Sequence, residues 1–186
     1  MLNIQDRTTE QQARQNRMKA NFDKCLSMLL EHEGGYVNSK HDPGGMTNLG
    51  ITQRTYNDYH GIRLDEQGMR NLTRADVEPI YKDRYWNKCK CHELPSGVDW
   101  AVFDWAVNSG TGRAAKALQK AVGAVEDGAI GSKTLALVKD TDSVSIINRM
   151  AVYRDQFYRS LSTFEHFGKG WIRRNDETRE QALKMV

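Results

Sequence analysis

Apolar residues first fall into step at Phe22, Leu26, Leu29 and Leu30, three and four positions apart, with Glu33 on the same stripe. This spacing predicts a helix from about Asn21 to Glu33 with one buried face. Gly34 and Gly35 end it, as helix C-termini commonly do. Residues 1–20 before it are polar and read as a lead-in or a frayed tail. From Tyr36 to Thr52 the helical period vanishes. Pro43-Gly44-Gly45 dictates a turn, and its flanks suit a small hairpin. Thr52 is the expected N-cap of an amphipathic helix carrying Tyr56 and Tyr59, and Thr73 that of a helix from about Arg74 to Trp86. Pro79 predicts a kink or a late start there.

The next segment is apolar almost all round, with Val98, Trp100, Ala101, Val102, Phe103, Trp105 and Ala106 in nine positions. Such a helix is central and buried, with Ser96 as its cap and Asp99 in its first turn. A short helix over 112–122 follows. Near Gly123 the character changes. A tight Asp127-Gly128 turn precedes a short helix capped by Ser132, then a long one carrying Ile147, Met150, Tyr153, Phe157, Leu161 and Phe164. The FGKG run, 167–170, is expected to break that helix, and Trp171 to open the last one. The fold class is α+β, predominantly α-helical with a small β-hairpin. Residues 123–186 form a second, smaller subdomain or a helical cap.

Composition narrows the setting more than the chemistry. A chain of 186 residues suits one domain, or a larger and a smaller one. Its net charge of +3 favours an anionic surface without naming one, and no basic tract is dense enough to call for nucleic acid. The cysteines, Cys25, Cys89 and Cys91, are odd in number and build no disulfide framework. The Cys89-Lys90-Cys91-His92 stretch has the wrong spacing for zinc and no second ligand pair, so neither metal nor other cofactor is expected. The polar N-terminus has neither a signal peptide's apolar stretch nor a membrane span. A target outside the cytoplasm would then require a separate delivery route.

Two acids dominate the glycine-rich stretch from His32 to Thr52. An acid on an apolar stripe at a helix C-terminus meets desolvation and the negative end of the dipole, and both raise a carboxyl pKa. A carboxylic acid still protonated near neutrality is what glycosidic cleavage requires, to protonate the departing oxygen. By its place on that stripe Glu33 is the candidate for this role, whereas Glu31 lies about 200° round the helix and faces water. A partner for a core arginine is the competing role for Glu33. Asp42 precedes Pro-Gly and is equally a turn opener. Thr47 reads as a strand residue on its own.

The combination says more. Glu33-Gly34-Gly35-Tyr36-Val37-Asn38, Asp42-Pro43-Gly44-Gly45, Thr47-Asn48 and Gly50-Ile51-Thr52 are joined downstream by Tyr81, Tyr85-Trp86, Leu94-Pro95, Phe103-Asp104, Asn108-Ser109-Gly110 and Leu118-Gln119. With these the sequence resembles glycoside hydrolase family 108, a lysozyme-like family of bacterial and phage muramidases. Asp127-Gly128, Ile130-Gly131, Thr134, Arg154 and 167–171 with Arg174 resemble the peptidoglycan-binding segment that accompanies it. The resemblance runs from about Phe22 to the end, dividing the chain into an extension (1–20), a catalytic domain (21–122) and a wall-binding subdomain (123–186).

The resemblance implies that Glu33 is the catalytic acid, cutting between N-acetylmuramic acid and N-acetylglucosamine. A looser likeness to phage lysozymes implies Asp42 and Thr47 as partners. The Asp42–Thr47 gap is one residue shorter than in that group. Asp42 would act as base or stabilise oxocarbenium-like charge, and Thr47 would position water. Asp104 is a further candidate carboxylate, with a structural role as its alternative. Tyr36, Tyr85 and Trp86 are candidate cleft lining for sugar faces, each equally a core aromatic. Asn108 is a candidate hydrogen-bonding residue for substrate, or a helix cap.

The expected partners are peptidoglycan glycan strands and a holin for release, with no stable membrane insertion and a monomeric state. Synthesis in a host cytoplasm and action on the wall, as an endolysin, complete that expectation. A lytic transglycosylase using the same acid, and a non-catalytic wall-binding or virion module, are the alternatives.

Overall fold

Phe22, Cys25, Leu26 and Leu29 are buried along one side of helix α1, which runs through residues 20–32. The computed structural model describes residues 20–38 and 45–186; the lead-in over 1–19, Asp42 and the Pro43-Gly44 turn lie outside them. The fold is α+β and mostly helical, with one two-stranded antiparallel sheet. Two compact units divide between Lys82 and Asp83. This division differs from the partition at 122/123 that the family resemblance suggests.

In the first unit, Val37 bridges to Thr47 through two backbone hydrogen bonds of 2.8 Å. Strands β1 (Thr47–Asn48) and β2 (Ile51–Thr52) then pair in the register Thr47 with Thr52 and Asn48 with Ile51. Helix α2 (Gln53–His60) starts at Thr52, whose hydroxyl accepts from the Thr55 amide at 3.1 Å. A short helix α3 (Glu66–Arg70) is capped by Asp65. Helix α4 (Arg74–Tyr81) starts after Thr73, whose amide and hydroxyl both donate to the Asp76 carboxylate. Both threonine caps are therefore where the sequence expects them.

Pro79 neither delays nor ends α4. The α geometry instead gives way, after Tyr81, to a π-helical turn over Lys82–Asn87. Pro79 lacks the N–H that would meet a carbonyl one turn back, so the ladder is already interrupted just before that change.

In the second unit, α5 (Val98–Ser109) is buried from Val98 through Ala106, as its all-round apolar sequence requires. Its cap differs from expectation. Asp99 accepts from the amides of Gly97 and Trp100 at 2.8 and 2.7 Å, and Ser96 does not serve. Helices α6 (Thr111–Val122), α7 (Ser132–Asp140), α8 (Ser143–Arg159) and α9 (Phe164–Leu183) complete the unit, and α5 packs on α6, α8 and α9.

The expected break at 167–170 is corrected: α9 runs straight through it, and Leu161 and Phe164 lie beyond α8. The chain breaks at 160–163, where the Ser160 hydroxyl bonds the Phe157 carbonyl and satisfies a helix end. Gly168 sits inside α9 because Phe164, one turn earlier, lays its ring over it. A Cβ there would come within 2.6 Å of the ring. Among the described residues no helix is long and apolar enough to cross a membrane.

Candidate active site

Glu33 stands one residue beyond α1, half-buried, with its amide still bonded to the Leu29 carbonyl at 3.2 Å. Its carboxyl lies against the turn joining β1 to β2. A Cβ on Gly50 would meet Glu33 Oε2 at 2.8 Å and Cγ at 2.9 Å, and would come closer still to the Tyr81 hydroxyl oxygen. Only a residue without a side chain allows the acid, the turn and the tyrosine to share that space.

The turn itself is a two-residue hairpin loop with φ of 49° at Leu49 and 73° at Gly50. Positive φ at both central residues is the geometry that matches strand twist, and glycine usually supplies it. Leucine in this conformation carries roughly 1–2 kcal/mol of strain, so the surroundings must hold it. Tyr81, fully buried on α4, donates its hydroxyl to the Leu49 carbonyl at 2.8 Å. Asn48, buried on β1, donates to the Met69 carbonyl at 2.8 Å and the Arg70 carbonyl at 3.3 Å. The turn against Glu33 is thus pinned from α3 and from α4. Gly50 and Tyr81 were visible in sequence only as motif matches; the signal for their role is Leu-Gly between two short strand segments.

Thr47 is half-buried on β1 and ties the hairpin to the chain just past Glu33 through the Val37 bridge. Tyr36 is half-buried as well. Its hydroxyl donates to Glu66 at 3.0 Å and the Arg70 guanidinium covers one ring face at 4.0 Å. Desolvation and the Glu66 carboxylate raise the Tyr36 pKa, while bonds from Arg70 and Tyr36 lower that of Glu66. One face of the Tyr36 ring is therefore already occupied. Asp42 lies outside the described residues.

The remaining expected residues belong to the second unit. Tyr85 is half-buried in the π-helical turn. Trp86 is a correction: only 2% exposed, it packs edge-to-face on Phe103 with centroids 5.3 Å apart, and a core ring offers no face to a sugar. Asn108 is exposed at the end of α5, where its Oδ1 accepts from Tyr158 at 2.7 Å and from Ser109 at 3.0 Å.

Asp104 is fully buried. Arg154 donates to it at 2.6 Å, Arg174 at 2.8 Å and Thr178 at 3.1 Å. Burial pushes its carboxyl up, but the two guanidiniums outweigh this and hold it at about 2. Arg154 also donates to the Tyr158 hydroxyl at 2.8 Å, which in turn holds Asn108. Asp104 is therefore the centre of a cross-helix tie between α5, α8 and α9.

Cys25, Cys89 and Cys91 are buried thiols, and burial pushes Cys89 up to about 12. Native protein at pH 8 should resist a thiol-exchange reagent and release all three thiols only when denatured. Rapid labelling of the native chain would contradict this packing.

The glycosyl hydrolase 108 family model matches residues 26–110, a span containing Glu33, the hairpin and all of α5. The chain is 42% identical to the protein in the solved structure of Brucella abortus SagA, with a TM-score of 0.80, over 90% of this chain and 96% of that one. No curated protein matches it. A half-buried glutamate held against a pinned hairpin turn, the family model over that segment and this full-length likeness lead to one conclusion: the chain belongs to glycosyl hydrolase family 108, the peptidoglycan-degrading glycoside hydrolases.

Proposed function

We propose that the protein is a muramidase that cleaves the β-1,4 bond between N-acetylmuramic acid and N-acetylglucosamine, with Glu33 as the general acid. The observation that carries this reading is the packing of the Glu33 carboxyl against Gly50, in a turn that Tyr81 and Asn48 hold. A carboxylic acid so placed protonates the glycosidic oxygen as its bond to the anomeric carbon breaks. Water then adds to the oxocarbenium-like centre and loses its proton to a base. Asp42 is the proposed base or charge stabiliser, and Thr47 the residue that orients the water. Tyr36 and Tyr85 line the glycan path, and Asn108 bonds a substrate hydroxyl or N-acetyl group.

In this reading residues 123–186 contribute wall binding. The protein acts as a monomeric endolysin that reaches the wall through a holin. Mass spectrometry of muropeptides released from purified sacculi tests the reaction. Simple hydrolysis yields reducing N-acetylmuramic acid ends. Products short by one water at that end would instead mean a transglycosylase closing a 1,6-anhydro ring.

A further inference from the structure

Helix α6 presents Arg113 and Lys120 on one stripe, seven residues and about 10 Å apart along the axis. Both are seated on rings of α8. The Arg113 guanidinium carbon lies 4.2 Å over Phe157 and the Lys120 ammonium 4.4 Å over Tyr153, and these rings are one turn apart. The Ser109 carbonyl accepts from Arg113 Nη1 at 2.6 Å, which fixes the guanidinium further. Arg149 extends the row, bonded to the Ala121 carbonyl at 2.7 Å. All three cations are exposed, and none is ion-paired to a carboxylate among the described residues. Lys116, between the two, lies beside the Asp127–Gly128 turn, where the Ala129 amide and the Gln119 side chain, and to a smaller extent Lys116, lower the Asp127 carboxyl.

A ring face covered by a cation is closed to a sugar, so on this face the rings act as pedestals. They orient the charges before any ligand arrives, which reduces the ordering cost of binding. A guanidinium seated over a ring, with Nη1 held by a carbonyl, keeps its other N–H groups for a carboxylate, the partner that arginine recognises best.

We propose that this α6–α8 face binds the stem-peptide carboxylates of peptidoglycan. The proposal rests on the muramidase reading and adds to it a contact with the peptide part of the polymer. Charge complementarity selects that occupant. The glycan backbone itself is uncharged apart from its substituents, whereas each stem peptide carries carboxylates.

The test uses the full chain with Glu33→Gln, so that sacculi stay intact, and compares it with the same chain carrying Arg113→Gln and Lys120→Gln. Sedimentation with intact sacculi should show roughly tenfold weaker binding for the variant. On sacculi whose stem-peptide carboxylates have been converted to amides with a carbodiimide and ammonium, the two should bind alike. Arg113→Met with Lys120→Met, which keeps the apolar stems on the rings, should show the same loss and a melting curve close to the parent's. Equal binding of parent and variant to intact sacculi overturns the proposal while leaving the muramidase reading standing. So does an equal loss on the amidated sacculi, or a parent that prefers duplex DNA to sacculi. A wild type that leaves sacculi undigested, with a parent that does not sediment, overturns both.

Discussion

Gly50→Ala should lower the rate of peptidoglycan cleavage about a hundredfold while leaving sedimentation with sacculi nearly unchanged. The added methyl would sit 2.8 Å from Glu33 Oε2 and even nearer the Tyr81 hydroxyl, at a residue whose φ is +73°. Something must move, and each candidate matters. Either the carboxyl leaves its place or Tyr81 releases the Leu49 carbonyl that it now holds. A displacement of about 1 Å at a catalytic group costs on the order of a hundredfold. The left-handed backbone adds roughly 1–2 kcal/mol of strain for alanine, so the melting temperature should also fall. Stability and rate are separable here: assays well below the lowered transition should still show the rate defect. An alanine variant as active as the wild type would show that contact with the turn does not position the acid.

Asp104→Asn should be among the most destabilising single changes in the second unit, costing about 3–5 kcal/mol and lowering Tm by roughly 10 °C. The carboxylate is fully buried and receives Arg154, Arg174 and Thr178. Without it, two guanidiniums remain in the helix junction against a neutral amide. Arg154 Nη2 is already buried with no hydrogen-bond partner among the described residues, which leaves little slack for a second loss. The pH dependence follows from the depressed pKa, about 2 against an ordinary 3.8. Its contribution to stability is complete above the unfolded value and is lost as pH falls through the folded one. Wild-type protein should therefore lose stability between about pH 4 and pH 2, and Asp104→Asn should lack that part of the slope. Denaturant melts at pH 6, 4 and 2.5 measure both. An Asn variant as stable as the parent at pH 6 would contradict the account.

Elements whose signal is local were legible in sequence. Thr52 and Thr73 cap helices because a hydroxyl finds an amide or an acid three residues on. α1 and α5 declare themselves through a stripe and through apolarity all round. What depended on a particular packing or charge partner was not legible. The glycines in 167–170 look like a helix stop, but the Phe164 ring makes Gly168 a packing residue inside α9. Asp104 could not be told from a catalytic carboxylate until Arg154 and Arg174, 50 and 70 residues away, closed on it. Trp86 reads equally as cleft or core, and Phe103 decides it. At the candidate site the acid itself stood out by helical phase. The features that hold its surroundings came from elsewhere in the unit: a leucine at positive φ, a glycine with no room for a methyl and a tyrosine 32 residues beyond that leucine.

The central claim is that Glu33 supplies the proton that breaks the glycosidic bond. Its most direct test is digestion of purified peptidoglycan by wild type and by Glu33→Gln side by side, with released muropeptides quantified by mass. The account predicts that the glutamine variant, isosteric and unable to donate that proton, sediments with sacculi as the wild type does but releases products about a hundred- to ten-thousandfold more slowly. Release at the wild-type rate would contradict it.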